Sequence, residues 1–260
     1  MSSRCHFGAL AAVAFALCAC AATAAPPLEE VFEQSYSIPA NTTLSLKNID
    51  GTIYVYGSEE TQIKVTARKK AYSRERLAML RPDVKVEGNR FTLTTIFPPQ
   101  PEGLSLADRS GTIDYVLVVP QTCSIAQAEV ARGEIVLEGL RGATANARLR
   151  TGRMMVRNCF STSIDVAVEE GMLDLYYDWW EQLEFAFRGG IARGHIRATF
   201  PSYTGLQLNA ATEDGKITNK FAEEEIGGKG GVLQTTIGDG KGGAITLRAK
   251  SGNITLNKID

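Results

Sequence analysis

The 260-residue sequence is poor in histidine and cysteine and has no excess of charge of either sign. Beyond residue 24 only two cysteines and one histidine remain, without ligand spacing, which argues against a structural zinc site. With 28 basic and 29 acidic side chains there is no surplus of positive charge, which argues against nucleic acid as a partner. Apolar runs are confined to the first residues, so no transmembrane segment is expected in the remainder. Beyond residue 24, His195 is the only histidine, and therefore the only base open to a Ser–His–Asp arrangement.

The one apolar run extends from Phe7 to Ala22, follows Arg4 and leads into "AATAAPP". This is the layout of a secretory signal, with an A-x-A site at Ala22 and Ala24. The run is also shorter than the roughly 20 residues a membrane span needs. Residues 1–24 are therefore expected to be a signal peptide, and the protein to be exported to the periplasm or cell surface. Within the run, Leu17-Cys-Ala-Cys20 resembles a lipobox, which would make Cys20 a lipidation site and a lipid anchor.

Glycine is abundant, with 25 residues, and it recurs in one phrase: glycine, any residue, apolar, any residue, apolar. The phrase occurs in "NIDGTIYVYG" at Gly51, then at Gly133, Gly152, Gly171 and Gly194, and in weakened form at Gly215. "GAITL" at Gly243 and "GNITL" at Gly252 close the series. From Gly133 the intervals are 19, 19, 23 and 21 residues. A period near 20 suits one coil of a β-solenoid, which buries its apolar face only by stacking on its neighbours. Strand alternation places Ile135 and Leu137, Met154 and Val156, and Leu173 and Leu175 inside. Glycine supplies the bend. The expected fold is all-β: a β-solenoid, or single-stranded β-helix-like stack of glycine-headed coils, with one short helix near residues 73–80.

Outward positions support stacking in register, because Glu134 then lies beside Arg153 and Glu138 beside Arg157. Thr199 falls on this outward face, and His195 falls between Met172 and Lys216, facing solvent. Cys123 and Cys159 are 36 residues apart, nearly two coils. Two coil spacings come to about 9.5 Å, beyond the about 7 Å that a disulfide tolerates. Export permits a bond, but buried free thiols are expected.

Residues 25–120 read as an N-terminal β region continuous with the repeats of 121–260. It contains alternating strands over 34–70, the helix capped by Ser73, a hairpin around Gly88-Asn89, a loop over 98–110 and a strand over 112–120. The order of "NIDGTIYVYG", "IKVTARKKAYSRERLAML", "VKVEGNRFTL", "IDYVLVVP", the glycine-headed repeats and "GNITL" resembles the bacterial DUF4097 family, whose members carry an adhesin label. The resemblance covers residues 35 to 259. It implies a β-solenoid-like all-β domain and carries over no catalytic residue and no cofactor. An aromatic-rich insertion around residues 176–187 departs from the pattern and accounts for the longer interval.

That insertion, "DLYYDWWEQLEFAF", holds the candidate ligand contacts. Alternation turns Leu175, Tyr177 and Trp179 inward and Tyr176, Asp178 and Trp180 outward. Exposed aromatic rings beside carboxylates suit sugar rings, and the outward Tyr54 and Tyr56 would extend such a platform. The alternative is that the aromatics cap the core. Asp174, Asp178, Glu181 and Glu184 offer carboxylates for glycoside hydrolysis, although acidic residues on a solvated strand are commoner. "GDGKGG" at 238–243 matches a dinucleotide fingerprint but is followed by a strand rather than a helix. With "GGKGG" at 227–231 it reads as turns between coils. The basic residues Arg68, Lys69, Lys70, Arg74, Arg76 and Arg81 read as a solvated face. The sequence thus points to a non-enzymatic exported scaffold without a cofactor, presenting a surface to a polysaccharide or another envelope protein. The alternatives are a polysaccharide-acting enzyme on the same scaffold, or an envelope-stress structural protein with no ligand.

Overall fold

The computed structural model describes residues 26–39, 41–97 and 111–260; the signal segment, Cys20 and the expected loop at 98–110 lie outside the described residues. The described chain is almost entirely β. Its first part comprises β1 (Leu28–Ser37), β2 (Thr43–Ser58), β3 (Gln62–Ala71), α1 (Arg74–Met79), β4 (Arg81–Glu87), β5 (Arg90–Ile96) and β6 (Thr112–Pro120). Then follow β7 (Ser124–Glu138), β8 (Thr144–Arg157), β9 (Ser163–Tyr176), β10 (Ala186–Pro201), β11 (Leu206–Asn219), β12 (Glu224–Ile237), β13 (Gly243–Ser251) and β14 (Ile254–Ile259). Among the described residues no helix is long and apolar enough to cross a membrane.

The long strands run through their glycines instead of starting at them. In β8 the buried residues are Ala145, Ala147 and Leu149 before Gly152, and Met154 and Val156 after it. The alternation shifts phase between them, where Arg150 and Thr151 are both exposed. Each such strand therefore has two arms with one continuous inner face and a corner at the glycine. Gly51, Gly133, Gly152, Gly171 and Gly194 have φ between +116° and +136°, a conformation that a side chain opposes. They also stack: a Cβ on Gly171 would lie 1.8 Å from the carbonyl oxygen of Gly152.

Strands β2, β7, β8, β9 and β10 pair in parallel, with these glycines in register. The register sets Glu134 opposite Arg153 and Glu138 opposite Arg157, at 3.9 and 3.6 Å. Residues two and four places after the glycines are buried from β2 to β10. The sheet divides at β2. Its first arm pairs β5, which forms the Gly88 hairpin with β4, while its second arm pairs β6, followed by β3 and β1.

Several expectations need correction. The final phrase does not close the stack. β13 and β14, joined at Gly252, form one rung that lies between β10 and β11. The neighbour of His195 on that side is therefore Asn253 and not Lys216, although His195 is exposed. The stack ends on β12, which pairs antiparallel with β11. Residues 227–231 belong to this edge strand and are not a turn. Gly243 is no corner; a Cβ there would meet the Phe185 ring at 2.5 Å. Thr199 is buried. The basic run is not simply solvated either: Lys69 is buried on Glu30 at 2.8 Å, and Arg68 faces Glu29 at 3.8 Å. Cys123 and Cys159 are buried and free. Burial pushes their thiols up to about 11 and about 12, so both stay protonated.

Candidate functional site

On the second arms, the side chains three places after each corner glycine, and those five places after it from β2 to β9, point away from the core, and the register lines them up in two rows. The first row is Tyr54, Val136, Met155, Asp174 and Arg197; the second is Tyr56, Glu138, Arg157 and Tyr176. Strand spacing sets Tyr56 and Tyr176, three rungs apart, at roughly 14 Å. On the far side of β2, Val116 lies beside Tyr54 and Val118 beside Tyr56. Val116 and Tyr56 are exposed.

Charged groups tie this face together. The Tyr54 hydroxyl donates to Glu138 Oε2. Burial, then Glu138, pushes that phenol up to about 12, so it remains a donor at physiological pH. Arg157 contacts Glu138, donates to Asp178 at 2.7 Å and lies 5.7 Å over the Tyr176 ring. Asn158 Nδ2 also donates to Asp178, at 2.7 Å. Burial alone would raise the Asp178 carboxyl, but the hydrogen bonds from Arg157 and Asn158 outweigh it and hold the carboxyl below its usual range. Asp174 is clamped between Arg153 at 2.7 Å and Arg197 at 3.1 Å.

Four of the five candidate residues thus surround one face: Tyr54, Tyr56 and Tyr176 on it, and Asp178 at its rim. Trp180 belongs elsewhere. Its ring packs edge-on against Phe160, Tyr177 and Phe200, at 5.9, 5.3 and 5.9 Å between centroids. Trp179 packs on Phe160 as well, with Arg141 stacked 5.4 Å over its ring. Arg141 forks onto Glu181 at 2.6 and 2.7 Å and fastens the insertion to the turn before β8. Alternation misplaces Trp180 because β9 ends at Tyr176; past the last ladder hydrogen bond a period of two no longer applies. Glu138 and Arg157, which bridge the tyrosines, were visible in the sequence only as a register pair.

Asp174, Asp178 and Glu181 face arginines, and Glu181, like Asp178, is held below its usual range, first by hydrogen bonds from Arg141. A general acid for glycoside hydrolysis needs the opposite shift. Among the described residues no group of three or more His, Cys, Asp or Glu is placed to hold a metal ion.

A pH prediction follows from these pairs. Both tryptophans of the chain, Trp179 and Trp180, lie in the insertion, so selectively excited tryptophan emission reports on it alone. Carboxyl groups with lowered folded pKa stabilise above their ordinary values, 4.5 for Glu181 and 3.8 for Asp178, and that stability is lost as pH falls below them. Acidification should red-shift the tryptophan emission before far-ultraviolet circular dichroism changes, and Glu181→Gln should abolish most of the early shift. Simultaneous loss of both signals would show that these pairs do not fasten the insertion.

No family model matches the chain, and no curated protein matches it in sequence. Solved structures do. A protein from Clostridium sporogenes, provisionally named for cell adhesion, superposes with TM-score 0.54 at 15% identity, over 90% of this chain and 100% of that one. The likeness is one of fold. Proteins provisionally named adhesins from Bacteroides fragilis (TM-score 0.31, 9% identity) and Parabacteroides distasonis (TM-score 0.34, 7% identity) match more weakly, each over 88% of this chain and 97% of their own.

Proposed function

We propose that this chain is an exported, non-enzymatic β-solenoid of the DUF4097 type, with an adhesin-like binding or scaffolding role at the cell envelope. Its binding surface is the face of Tyr54, Tyr56 and Tyr176. The observation that carries the reading is the pair of in-register rows, which sets aromatic rings and bridged charges on one sheet face. A polysaccharide chain suits it, since rings offer stacking planes and the Glu138–Arg157–Asp178 chain offers fixed hydrogen-bonding groups. Another envelope protein is the second partner class. The parallel rungs and stacked corners support the solenoid reading, and β2, shared by both parts, supports continuity of residues 25–120 with the repeats. Likeness of fold to the Clostridium sporogenes protein named for cell adhesion supports a binding role. The signal-like start supports export, with Cys20 as the lipid anchor where the lipobox is processed. Arginine pairing of the carboxylates favours binding over catalysis.

The test is a variant carrying Tyr54→Ala, Tyr56→Ala and Tyr176→Ala, compared with wild type on a glycan array and in pull-downs from envelope extracts. Loss of aromatic anchors at an interface typically weakens binding at least tenfold. Unchanged binding of every detected partner would rule this face out.

A further inference from the structure

A groove of about 880 Å³ runs across the opposite arms, lined by residues two to four places before the corner glycines. It crosses eight rungs, from β2 to β12, so it is roughly 34 Å long at the spacing of paired strands. No aromatic residue lines it. A sugar therefore has no ring to stack on. An extended peptide has no main-chain partners there either, because the inner rungs pair with neighbours on both sides.

Its middle is mostly aliphatic, with Glu169 the one charged side chain on its two rungs. On β9 and β10 the lining side chains are small, at Ala167, Gly190 and Ala192, with Val168 and Ile191 beside them. Gly190 has no conformational reason to be glycine, since its φ is not positive. It has no steric reason either: an added Cβ would meet nothing closer than the Arg248 carbonyl oxygen at 4.0 Å. At Gly189, by contrast, a Cβ would come within 2.7 Å of Phe187. A mid-strand glycine costs roughly 0.5–1 kcal/mol relative to alanine, so at Gly190 that cost leaves open space in the groove floor.

Cationic rungs bracket this trough: Arg148 and Arg150 on β8, and Arg248 and Lys250 on β13. Arg148 is engaged by Asp165 at 2.7 Å and Arg248 by the Asn209 carbonyl at 3.1 Å. Arg150 and Lys250 have no ion-pair partner among the described residues. Glu169 stands on β9 in register beside Arg150, Glu213 stands on β11 beside Lys250, and Glu129 is taken by Lys47 at 3.6 Å. The groove thus holds five cations against three carboxylates, in a chain whose net charge is −1. The two cationic rungs are three spacings apart, roughly 14 Å, close to the about 15 Å that one leaflet of a bilayer's hydrocarbon core measures.

We propose that the groove binds a single anionic amphiphile of the fatty-acid class, its alkyl chain along the Ala167–Gly190–Ala192 trough and its acid group on Arg150 or Lys250. This site is separate from the tyrosine face, and its test does not depend on that reading. The experiment is calorimetric titration of the full chain with dodecanoate, and with dodecyltrimethylammonium as the cationic counterpart. Dodecanoate should bind and the ammonium should not, and lengthening the acid should tighten binding by roughly twofold per methylene for a chain covered on one side. Gly190→Val should weaken dodecanoate roughly tenfold without lowering the melting temperature, because the added methyls enter open space. Arg150→Glu with Lys250→Glu, both at exposed positions, should reverse the preference, and carries the test alone should Gly190→Val not fold. The triple tyrosine variant should bind dodecanoate as wild type does. Absence of dodecanoate binding, equal binding of both probes, or indifference to the charge reversal overturns the proposal.

Discussion

Gly171→Ala is expected to destabilise the protein by roughly 3–6 kcal/mol, through strain at positive φ and overpacking together. Its φ is +135°, and the added methyl would sit 1.8 Å from Gly152 O. Relief is not local. The obstructing atom is backbone, and the rungs on both sides are fixed by parallel ladders through Gly152 and Gly194. Against a typical total of about 5–15 kcal/mol, the loss is a large fraction of the stability. Denaturant unfolding should show a large drop in midpoint or a broad, uncooperative transition. Gly190→Ala is the matched control: also in a central strand, but with open space at Cβ, it should be neutral or slightly stabilising. If Gly171→Ala melts like wild type, the stacked corners do not set the rung spacing.

Truncation after Gly242 tests the rung order with a comparably large effect. In a stack ordered by sequence it would remove only the terminal coil. Here it removes the rung on which β11 rests. The hydrogen bonds Gly252 N to Asp214 O and Thr212 Oγ1 to Gly252 O, both 2.8 Å, would be lost, and Ile245, Leu247, Ile254 and Leu256 would leave the core. At about 1.5–3 kcal/mol for each buried aliphatic side chain, an upper estimate, their loss alone amounts to about 6–12 kcal/mol. The β11–β12 hairpin should lose hydrogen-exchange protection and become the first site of proteolysis, while β7, β8 and β9 remain protected. Retention of wild-type protection in β11 would contradict the observed order.

The tyrosine face was readable to the extent that it depends on β2 and β9. Tyr54, Tyr56 and Tyr176 follow strand alternation, which is a local property of extended backbone. The distance between them was not readable, because it depends on how many rungs intervene. Trp180 shows where local reading stops, for its direction is set by the rings of Phe160, Tyr177 and Phe200, which come together from separate parts of the chain. The groove was not legible at all. Its lining residues are scattered along the sequence, and Gly190 looks like any other glycine until the empty space above it is seen.

By itself the sequence determined the all-β class, the repeat near 20 residues and the positions of the corner glycines. Those follow from short-range physics: alternation selects the inner face, and only glycine accepts the corner conformation. Tertiary structure alone decided which rung lies beside which. The repeated phrase makes the rungs nearly interchangeable, so their order depends on strand direction and corner contacts. Strand β12 runs antiparallel, and its Gly228 has nothing within 4 Å of its Cβ position, so it offers no corner on which another rung can stack. Between β10 and β11 the final rung runs parallel to both neighbours and seats Gly252 between Gly194 and Gly215. "SGNITLNKID", last in the chain, is therefore interior to the stack.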